Sequence, residues 1–414
     1  MAGESASSPE PKLAQLRWYE SLRNRNFRLL AFSNLAIYLC NMMEMVALGW
    51  LILDITDSVW NVTLGAFLRF GPILPMSLVA GTLADRFDRR KLLLLNQIGN
   101  IGTAGLMVLL LTSDSIQLWQ VYAVAPLRGV FNAEEQPVRR ALIMDLIGPE
   151  RITNALALDA SFMMGASVFG PFASGLLIDT LGAQGSYTAV TVLYVVGMFF
   201  LFALRSERRI SSTRGEPIVK NMVEGLRYAV THPVILPTLA ITFFMNLLGF
   251  PFRQVFPVFA KDIYGVGATG LGLLSSFIGI GAFIGSMYLA TAGGRFMKSR
   301  IYIGGSVLMA ASIVFFSVSG FYYLSLLILF FHGLGFSAFH IMQGTIPLST
   351  AEESKRGRVM GTTQLAIGAG PLGTLLVGRL ALALGPQAAV GIMAMVLTLT
   401  VLATAFRASA LRKI

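Results

Sequence analysis

Long apolar runs recur along the whole of this 414-residue chain, and they constrain its fold more than any other feature. A hydrocarbon layer of about 30 Å takes roughly 20 residues of helix. About twelve runs reach that length, and these predicted spans cover residues 27–53, 59–80, 92–111, 116–136, 154–178, 186–204, 234–259, 270–291, 301–319, 321–344, 361–381 and 387–406. The sequence therefore predicts an all-α polytopic membrane protein with twelve transmembrane helices.

The basic residues lie almost entirely on one side of the predicted membrane. Of the 32 Lys and Arg residues, 27 lie in the two tails or the even-numbered gaps between spans, and only Lys261 lies in an odd-numbered gap. Because Lys and Arg mark the cytoplasmic side, we predict a multi-pass protein of the cell (inner) membrane with both termini cytoplasmic. The net charge of +11 then reflects orientation and contact with membrane lipid, which argues against a nucleic-acid partner.

A polar stretch near the middle of the chain separates six predicted spans from the other six. Within it, EPIVKNMVEGLRYAV has the apolar spacing of a helix that lies along the cytoplasmic surface. Two pseudo-symmetric six-helix halves are common in alternating-access carriers, although the weak echoes between these halves can also arise by chance. We predict a cytoplasmic N-terminal tail (1–26) followed by an N-terminal six-helix bundle (27–204). A central cytoplasmic loop (205–233) leads to a C-terminal six-helix bundle (234–406) and a final cytoplasmic tail (407–414).

The charge cluster GTLADRFDRRK lies in the predicted cytoplasmic gap after span 2. It resembles the signature of the major facilitator superfamily, and Asp88 stands where that family usually has Gly. The matching residues are Gly81, Leu83, Ala84, Asp85, Arg86, Arg89 and Arg90. The resemblance implies a gate in which Gly81 allows close packing, Asp85 accepts hydrogen bonds from a helix N-terminus of the other half, and the arginines pair with carboxylates or lipid phosphates. A plain basic loop is the alternative.

Two further stretches are similar to one branch of that superfamily, which contains enterobactin exporters and macrolide-efflux proteins. They are ALGWLILDITDS at the end of span 1 and RGVFNAEEQPVRRALI from span 4 onward. In span 5, GASVFGPFASG resembles an element of proton-coupled exporters, with helix-packing residues Gly165, Gly170, Pro171 and Gly175. The resemblance implies outward transport with a proton moving inward.

Ionisable side chains at membrane depth are costly, so each is a functional candidate. Glu44 in span 1 and Arg69 in span 2 lie at matching depths, and we expect them to face each other. A desolvated carboxylate beside a movable partner can take up a proton near neutral pH. A static structural ion pair is the alternative.

Spans 4 and 5 carry a second group of candidates for proton coupling. Its members are Arg128, Glu134, Glu135 and Asp159. Arg128 and Glu135 are seven residues apart and so share a helix face. These residues either carry protons or satisfy one another.

Tyr38 and Asn41 fall on the helix face of Glu44, and with Met45 they form the candidate substrate cavity. Packing or contact with lipid is the alternative for the methionine. Arg253 and Arg379 lie near the outer ends of spans 7 and 11. They either attract an anionic substrate or extend toward the membrane surface, and extension is the favoured interpretation.

Together these features predict a secondary active transporter that exports a small amphipathic, drug- or siderophore-like compound by proton-coupled alternating access. It is expected to act as a monomer without a cofactor or metal, since the chain lacks a Gly-x-x-x-x-Gly-Lys phosphate loop and its three histidines are scattered at His232, His332 and His340. No arrangement of nucleophile and base indicates an enzyme. An uptake carrier or uniporter, and a non-transporting membrane sensor, stay open as alternatives.

Overall fold

A helix accounts for almost every part of the chain that the computed structural model describes. That part consists of residues 20–73, 75–76, 87–113, 115–147, 151–205, 218–292 and 296–414. The helices before the polar middle of the chain are α1 (Arg25–Thr56), α2 (Val59–Phe70), α3 (Arg89–Thr112), α4 (Leu118–Leu146) and α5 (Ile152–Ala203). Those after it are α6 (Ile218–Thr231), α7 (Ile235–Ile263), α8 (Ala268–Ala292), α9 (Lys298–Val318), α10 (Tyr322–Thr350), α11 (Arg356–Ile367), α12 (Gly370–Leu384) and α13 (Pro386–Arg407).

Within the described residues, nine helical stretches are long and apolar enough to cross a membrane. They are α1, α3, α5, α7, α8, α9, α10, the stretch Glu353–Leu384 that includes α11 and α12, and α13. The α4 helix also covers a predicted span, but it carries too many polar and charged side chains to count among the nine. The prediction of a helical polytopic membrane protein is confirmed, and the number of twelve spans stays a prediction.

Among the described residues, three glycines with positive φ, Gly182, Gly265 and Gly385, lie where one predicted span follows another. Gly182 has φ +70° inside α5, and it separates the predicted spans 154–178 and 186–204. Gly385 has φ +86° between α12 and α13. Residues with a Cβ rarely adopt such angles, so glycine at these positions ends one helical direction and begins another.

The α7 helix is regular only from Ile235 to Phe244, and beyond it π and 3₁₀ turns alternate as far as Ile263. Pro251 and Pro257 lie in this irregular part and supply no N–H group. Proline is tolerated at membrane depth where local 3₁₀ and π turns restore the backbone hydrogen bonds. The consequence for the site is that Arg253 lies on a 3₁₀ turn in the middle of this irregular region.

Helix packing ties the first part of the chain to the second through α8. The α8 helix packs against α5 on one side and α10 on the other, while α1 packs along α5. A compact aromatic cluster fills the region around α7, with the rings of Phe259 and Phe316 centred 4.7 Å apart. The surface helix α6 packs on α11, where the Glu224 and Arg358 side chains form an ion pair of 2.8 Å.

The start of α3 explains the Asp88 that stands in place of glycine. Asp88 is the N-cap residue, and its side chain accepts hydrogen bonds from the backbone N–H groups of Arg90 (2.9 Å) and Lys91 (3.2 Å). An N-cap carboxylate satisfies donors that have no partner within the helix.

We expect Asp88→Ala to lower the free energy of unfolding by about 1 kcal/mol, because it removes this cap. Asp88→Asn, which keeps the acceptor oxygen, should lie within a few tenths of a kcal/mol of the wild type. Denaturation midpoints of the three purified proteins in detergent measure the difference. Equal midpoints for the alanine and asparagine variants would show that the cap contributes nothing.

Candidate functional site

A stripe of polar side chains runs along one face of α1. Asn34, Tyr38, Asn41 and Glu44 follow one another at intervals of three or four residues, which is the spacing of a single helix face. Asn34, Tyr38 and Glu44 are almost completely buried. Polar groups at this depth need partners inside the protein, and the stripe finds them in two groups.

The first group surrounds the carboxylate of Glu44. Its Oε2 accepts from Nη2 of Arg69 at 3.3 Å and from Nε of Arg128 at 2.7 Å, and the Tyr194 hydroxyl donates to it at 3.4 Å. Arg128 also donates to the side-chain oxygens of Asn41, at 3.2 Å, and of Asn100. One carboxylate is thus shared by two buried guanidinium groups, so the group as a whole carries excess positive charge.

The second group lies about two turns nearer the start of α1. Asp159 accepts hydrogen bonds from the Asn34 amide at 2.6 Å and from the Tyr38 hydroxyl at 2.9 Å. Asn34 in turn accepts from Arg139, whose guanidinium is paired with Glu135 at 2.8 Å. Asp159 therefore has neutral direct partners, whereas Glu135 and Arg139 form a complete ion pair.

The structure brings some of the predicted residues together and separates others. Glu44 and Arg69 are in contact, as their depths predict. Arg128 and Glu135 do not pair: Arg128 joins Glu44, and Glu135 pairs with Arg139 instead. The side chain of Glu134 lies outside the described residues.

Sequence reasoning missed Arg139, Asn34 and Asn100. Arg139 follows the predicted span 116–136 and so counts among the basic residues of the cytoplasmic gap, but α4 continues to Leu146 and keeps this side chain buried. The available signal was the spacing of four residues between Glu135 and Arg139, which suits an ion pair on a helix.

The residues of the candidate cavity divide between two environments. Tyr38 and Asn41 belong to the hydrogen-bond network. Met45 instead lines a small, partly open cavity together with Arg69 and Arg253. Arg253 thus lines this cavity, and its extension toward the membrane surface stays a prediction.

The glycines of span 5 differ in their packing. A Cβ at Gly170 would lie 2.7 Å from the Cβ of Met42 on α1, and a Cβ at Gly175 would overlap the backbone of Ala268 on α8. The carbonyl oxygen of Pro171 lies against Gly272 of α8, so this stretch contacts helices on both sides. Gly165 has no such neighbour within 4 Å.

Of the predicted gate residues, Gly81, Asp85 and Arg86 lie outside the described residues. Arg89 forms an ion pair of 2.6 Å with Asp145 at the end of α4. Arg90 donates to the backbone oxygens of Leu201 (3.2 Å) and Phe202 (2.8 Å) at the end of α5. These two arginines therefore fasten the start of α3 to the ends of its neighbours.

At the opposite end of the bundle, two contacts join helices from the first and second parts of the chain. The Asp179 carboxylate on α5 accepts from the backbone N–H groups of Ala268 at 2.9 Å and Thr269 at 2.8 Å, which begin α8. Lys261 pairs with Asp57 at 2.8 Å. A carboxylate is favourable at a helix N-terminus because of the helix dipole. We refer to these two contacts as the end latch.

Metal coordination finds no support in the part of the chain that the structure describes. There, no three His, Cys, Asp or Glu side chains come together as metal ligands.

Comparison with known proteins decides the family. Residues 18–413 match the family described as transmembrane secretion effector, within the major facilitator superfamily. The chain belongs to this family. The family and its relatives are membrane transporters and not enzymes, and the chain is accordingly a multi-pass membrane transporter.

Relatives of this transporter include efflux and siderophore proteins. The multidrug efflux pump Tap of Mycolicibacterium fortuitum is 26% identical over 87% of this chain and 90% of its own length. The enterobactin exporter EntS of Escherichia coli O1:K1 / APEC is 25% identical over 82% and 84%. The staphyloferrin A transporter of Staphylococcus aureus (strain NCTC 8325 / PS 47) is 23% identical over 62% of this chain, and the match spans only 65% of that protein.

Solved structures share the fold of this transporter at low sequence identity. A POT family transporter in complex with 5-aminolevulinic acid has a TM-score of 0.74 at 11% identity, covering 92% of this chain and 95% of that one. A bacterial homologue of the human lysosomal transporter Spinster has a TM-score of 0.67 at 15% identity, covering 94% and 96%. The fold is therefore of the major facilitator type.

We expect Glu44→Gln to lower the free energy of unfolding by about 3 kcal/mol or more, because it leaves two buried guanidinium groups without their shared carboxylate. Glu352→Gln is the matched control, since Glu352 pairs with Lys355 at 2.9 Å on the exposed surface, where such a pair contributes less than about 1 kcal/mol. Thermal unfolding in detergent compares the two variants. Equal stability would contradict the view that Glu44 compensates the two arginines.

Proposed function

We propose that this transporter exports a small amphipathic organic compound across the cell membrane in exchange for protons. The relatives that support this proposal are described as a multidrug efflux pump, an enterobactin exporter and a staphyloferrin A transporter. The glycine-rich contacts of Gly170 and Gly175 lie in the stretch that resembles proton-coupled exporters.

The proposed architecture is twelve spans in two six-helix halves, residues 27–204 and 234–406, joined by the central loop 205–233. The end of the bundle that carries Arg89, Arg90 and Arg139 faces the cytoplasm, as do the tails 1–26 and 407–414, in line with the positive-inside rule. The end latch then lies on the outer side, where it closes one half against the other. Alternating access requires that this latch opens when the cytoplasmic side closes.

The observation that carries the proposal is the pair of buried carboxylates, Glu44 of α1 and Asp159 of α5, that meet the polar face of α1. Glu44 is held by two arginines, so releasing or protonating it disturbs ion pairs. Asp159 accepts from two neutral donors, so a proton can reach it without breaking an ion pair at that carboxylate. Because Asn41 and Tyr38 are three residues apart on one face, a change at one carboxylate can reach the other through a continuous polar surface.

In this scheme, protonation of Asp159 weakens its acceptance from Asn34, which also binds Arg139. Rearrangement there loosens the packing of α1 on α4 and α5. Glu44, Arg69 and Arg128 respond at the other end of the stripe. Glu134 and Glu135 lie on α4 between these sites, and Glu135 is occupied by Arg139. Asp159 is therefore our first candidate for the proton carrier.

The gate at Gly81, Asp85, Arg86, Arg89 and Arg90 is proposed on the resemblance to the superfamily signature. The contacts of Arg89 and Arg90 support it, since they fix the start of α3 against α4 and α5. The start of α3, fixed in this way, can pass a change at the gate on to α4 and α5.

We expect an added substrate to collapse the proton gradient of energised inside-out vesicles that contain the wild-type protein. A pH-sensitive dye reports the change as macrolides, catechol siderophores, lipophilic cations and small acids are added one at a time. Asp159→Asn should abolish this proton release, because it removes the proton-binding oxygen, while it retains exchange of the compound down its own gradient. Asp85→Asn should abolish both activities.

Glu352→Gln, on the exposed surface, is the control and should behave as the wild type. Substrate-driven proton release that persists in Asp159→Asn would remove Asp159 as the carrier. Transport by the wild type that ignores the pH gradient would contradict proton exchange and favour a uniporter. Binding without any flux would favour the sensor alternative.

A further inference from the structure

The cavity beside Met45 lies where helices from the first and second parts of the chain meet. Arg69 and Phe70 contribute from α2, Arg253 from α7, and Ser275 from α8. The apolar part of the lining consists of Met45, Val46, Leu48, Val62, Ala66, Pro257 and Leu271. The cavity therefore combines a broad apolar wall with two guanidinium groups that come from the two parts of the chain.

Both guanidinium groups have hydrogen-bonding capacity that the described residues do not use. The Nε of Arg69 and the Nε of Arg253 are buried without an acceptor. Arg69 has one carboxylate contact, to Glu44 at 3.3 Å. Arg253 forms no ion pair with any acidic residue that the structure describes. Buried donors of this kind almost always have a partner, and both of these belong to arginines that line the cavity, where an acceptor from outside the chain can reach them.

The charge around the cavity leads to the same conclusion. Arg69 and Arg128 share one carboxylate, that of Glu44, and Arg253 adds a further guanidinium group to the cavity that Arg69 lines. Uncompensated charge at membrane depth is expensive, and a cation held in an apolar region without a counter-charge is destabilising.

We propose that this cavity binds the carboxylate of an organic anion and that such anions are the chemical class that the transporter moves. The carboxylate lies between Arg69 and Arg253 and accepts hydrogen bonds from both, since guanidinium groups suit planar oxyanions. The apolar part of the anion packs on Met45, Leu48 and Leu271. This inference rests on the proposed function, because it names the compound class for the same central site.

The position of the two arginines gives the bound anion a further role. The anion joins α2 to α7 and so links the two proposed halves. It also partly relieves the excess of positive charge beside Glu44. Binding and the state of the α1 network are therefore coupled through Arg69, which contacts both.

The test compares matched pairs of compounds that differ only in charge. Benzoate and benzamide, 1-naphthoate and 1-naphthamide, and decanoate and decanamide are titrated into the purified full-length protein in detergent by calorimetry. We expect at least one anion to bind the wild type about tenfold or more tightly than its amide, as is typical of hydrogen bonds to a charged group. Arg253→Gln should remove that preference.

Arg379→Gln is the control, because Arg379 is an exposed arginine of α12 outside the cavity lining, and it should keep the preference. Thermal unfolding without ligand supplies a second readout. A binding role predicts that Arg253→Gln is as stable as the wild type or more stable, because it removes a partly buried charge that has no ion-pair partner among the described residues. A structural role predicts lower stability.

Three outcomes overturn the proposal. They are an anion preference that survives in Arg253→Gln, a wild type that binds no anion more tightly than its amide, and inorganic phosphate or chloride that displaces the organic anions with equal affinity. The binding result is independent of proton movement. Anion binding without proton release in vesicles would overturn the exchange mechanism and leave this inference standing.

Discussion

The arrangement of charge inside an apolar layer governs the rest of this structure. Glu44 is buried, and Arg69 and Arg128 donate to the same oxygen of its carboxylate. Each of these arginines comes from a different helix, so this one carboxylate holds α1, α2 and α4 in register. Burial of ions is costly and removal of one partner is more costly still, which makes these three helices move together.

In one part of the network the charges balance, and in the other part positive charge is in excess. Glu135 and Arg139 form a closed pair, and Asp159 is satisfied by neutral donors. Around Glu44 the positive charge is in excess, and the excess grows toward Arg253. Structural needs explain the closed pair, whereas the excess suits a transporter whose cargo or proton supplies the missing charge during part of its cycle.

The sequence predicts the fold class and the family well because both depend on long-range composition and on motifs that are continuous in the chain. It also predicts the contact of Glu44 with Arg69, because two neighbouring spans fix the relative depth of their residues. The sequence does not predict the contact of Arg128 with Glu44, because a helical wheel gives the face on which a residue lies but not the rotation of that helix against its neighbours. The sequence also does not predict the burial of Arg139, because charged residues that pair within α4 have the same sequence pattern as charged residues at the end of a span. The direction of Arg253 depends on the irregular turns of α7, which no simple periodicity describes.

The end latch combines two contacts of different chemical kinds. Asp57 and Lys261 meet through side chains, so replacement of either residue removes that contact. Asp179 instead binds the backbone N–H groups of residues 268 and 269, which every amino acid except proline supplies. The Thr269 side chain also hydrogen-bonds Asp179, and a Cβ at Gly267 would lie 2.8 Å from both oxygens of that carboxylate. Most substitutions at 268 and 269 therefore leave the backbone hydrogen bonds in place, whereas any side chain at 267 presses directly on the carboxylate that holds the two proposed halves together.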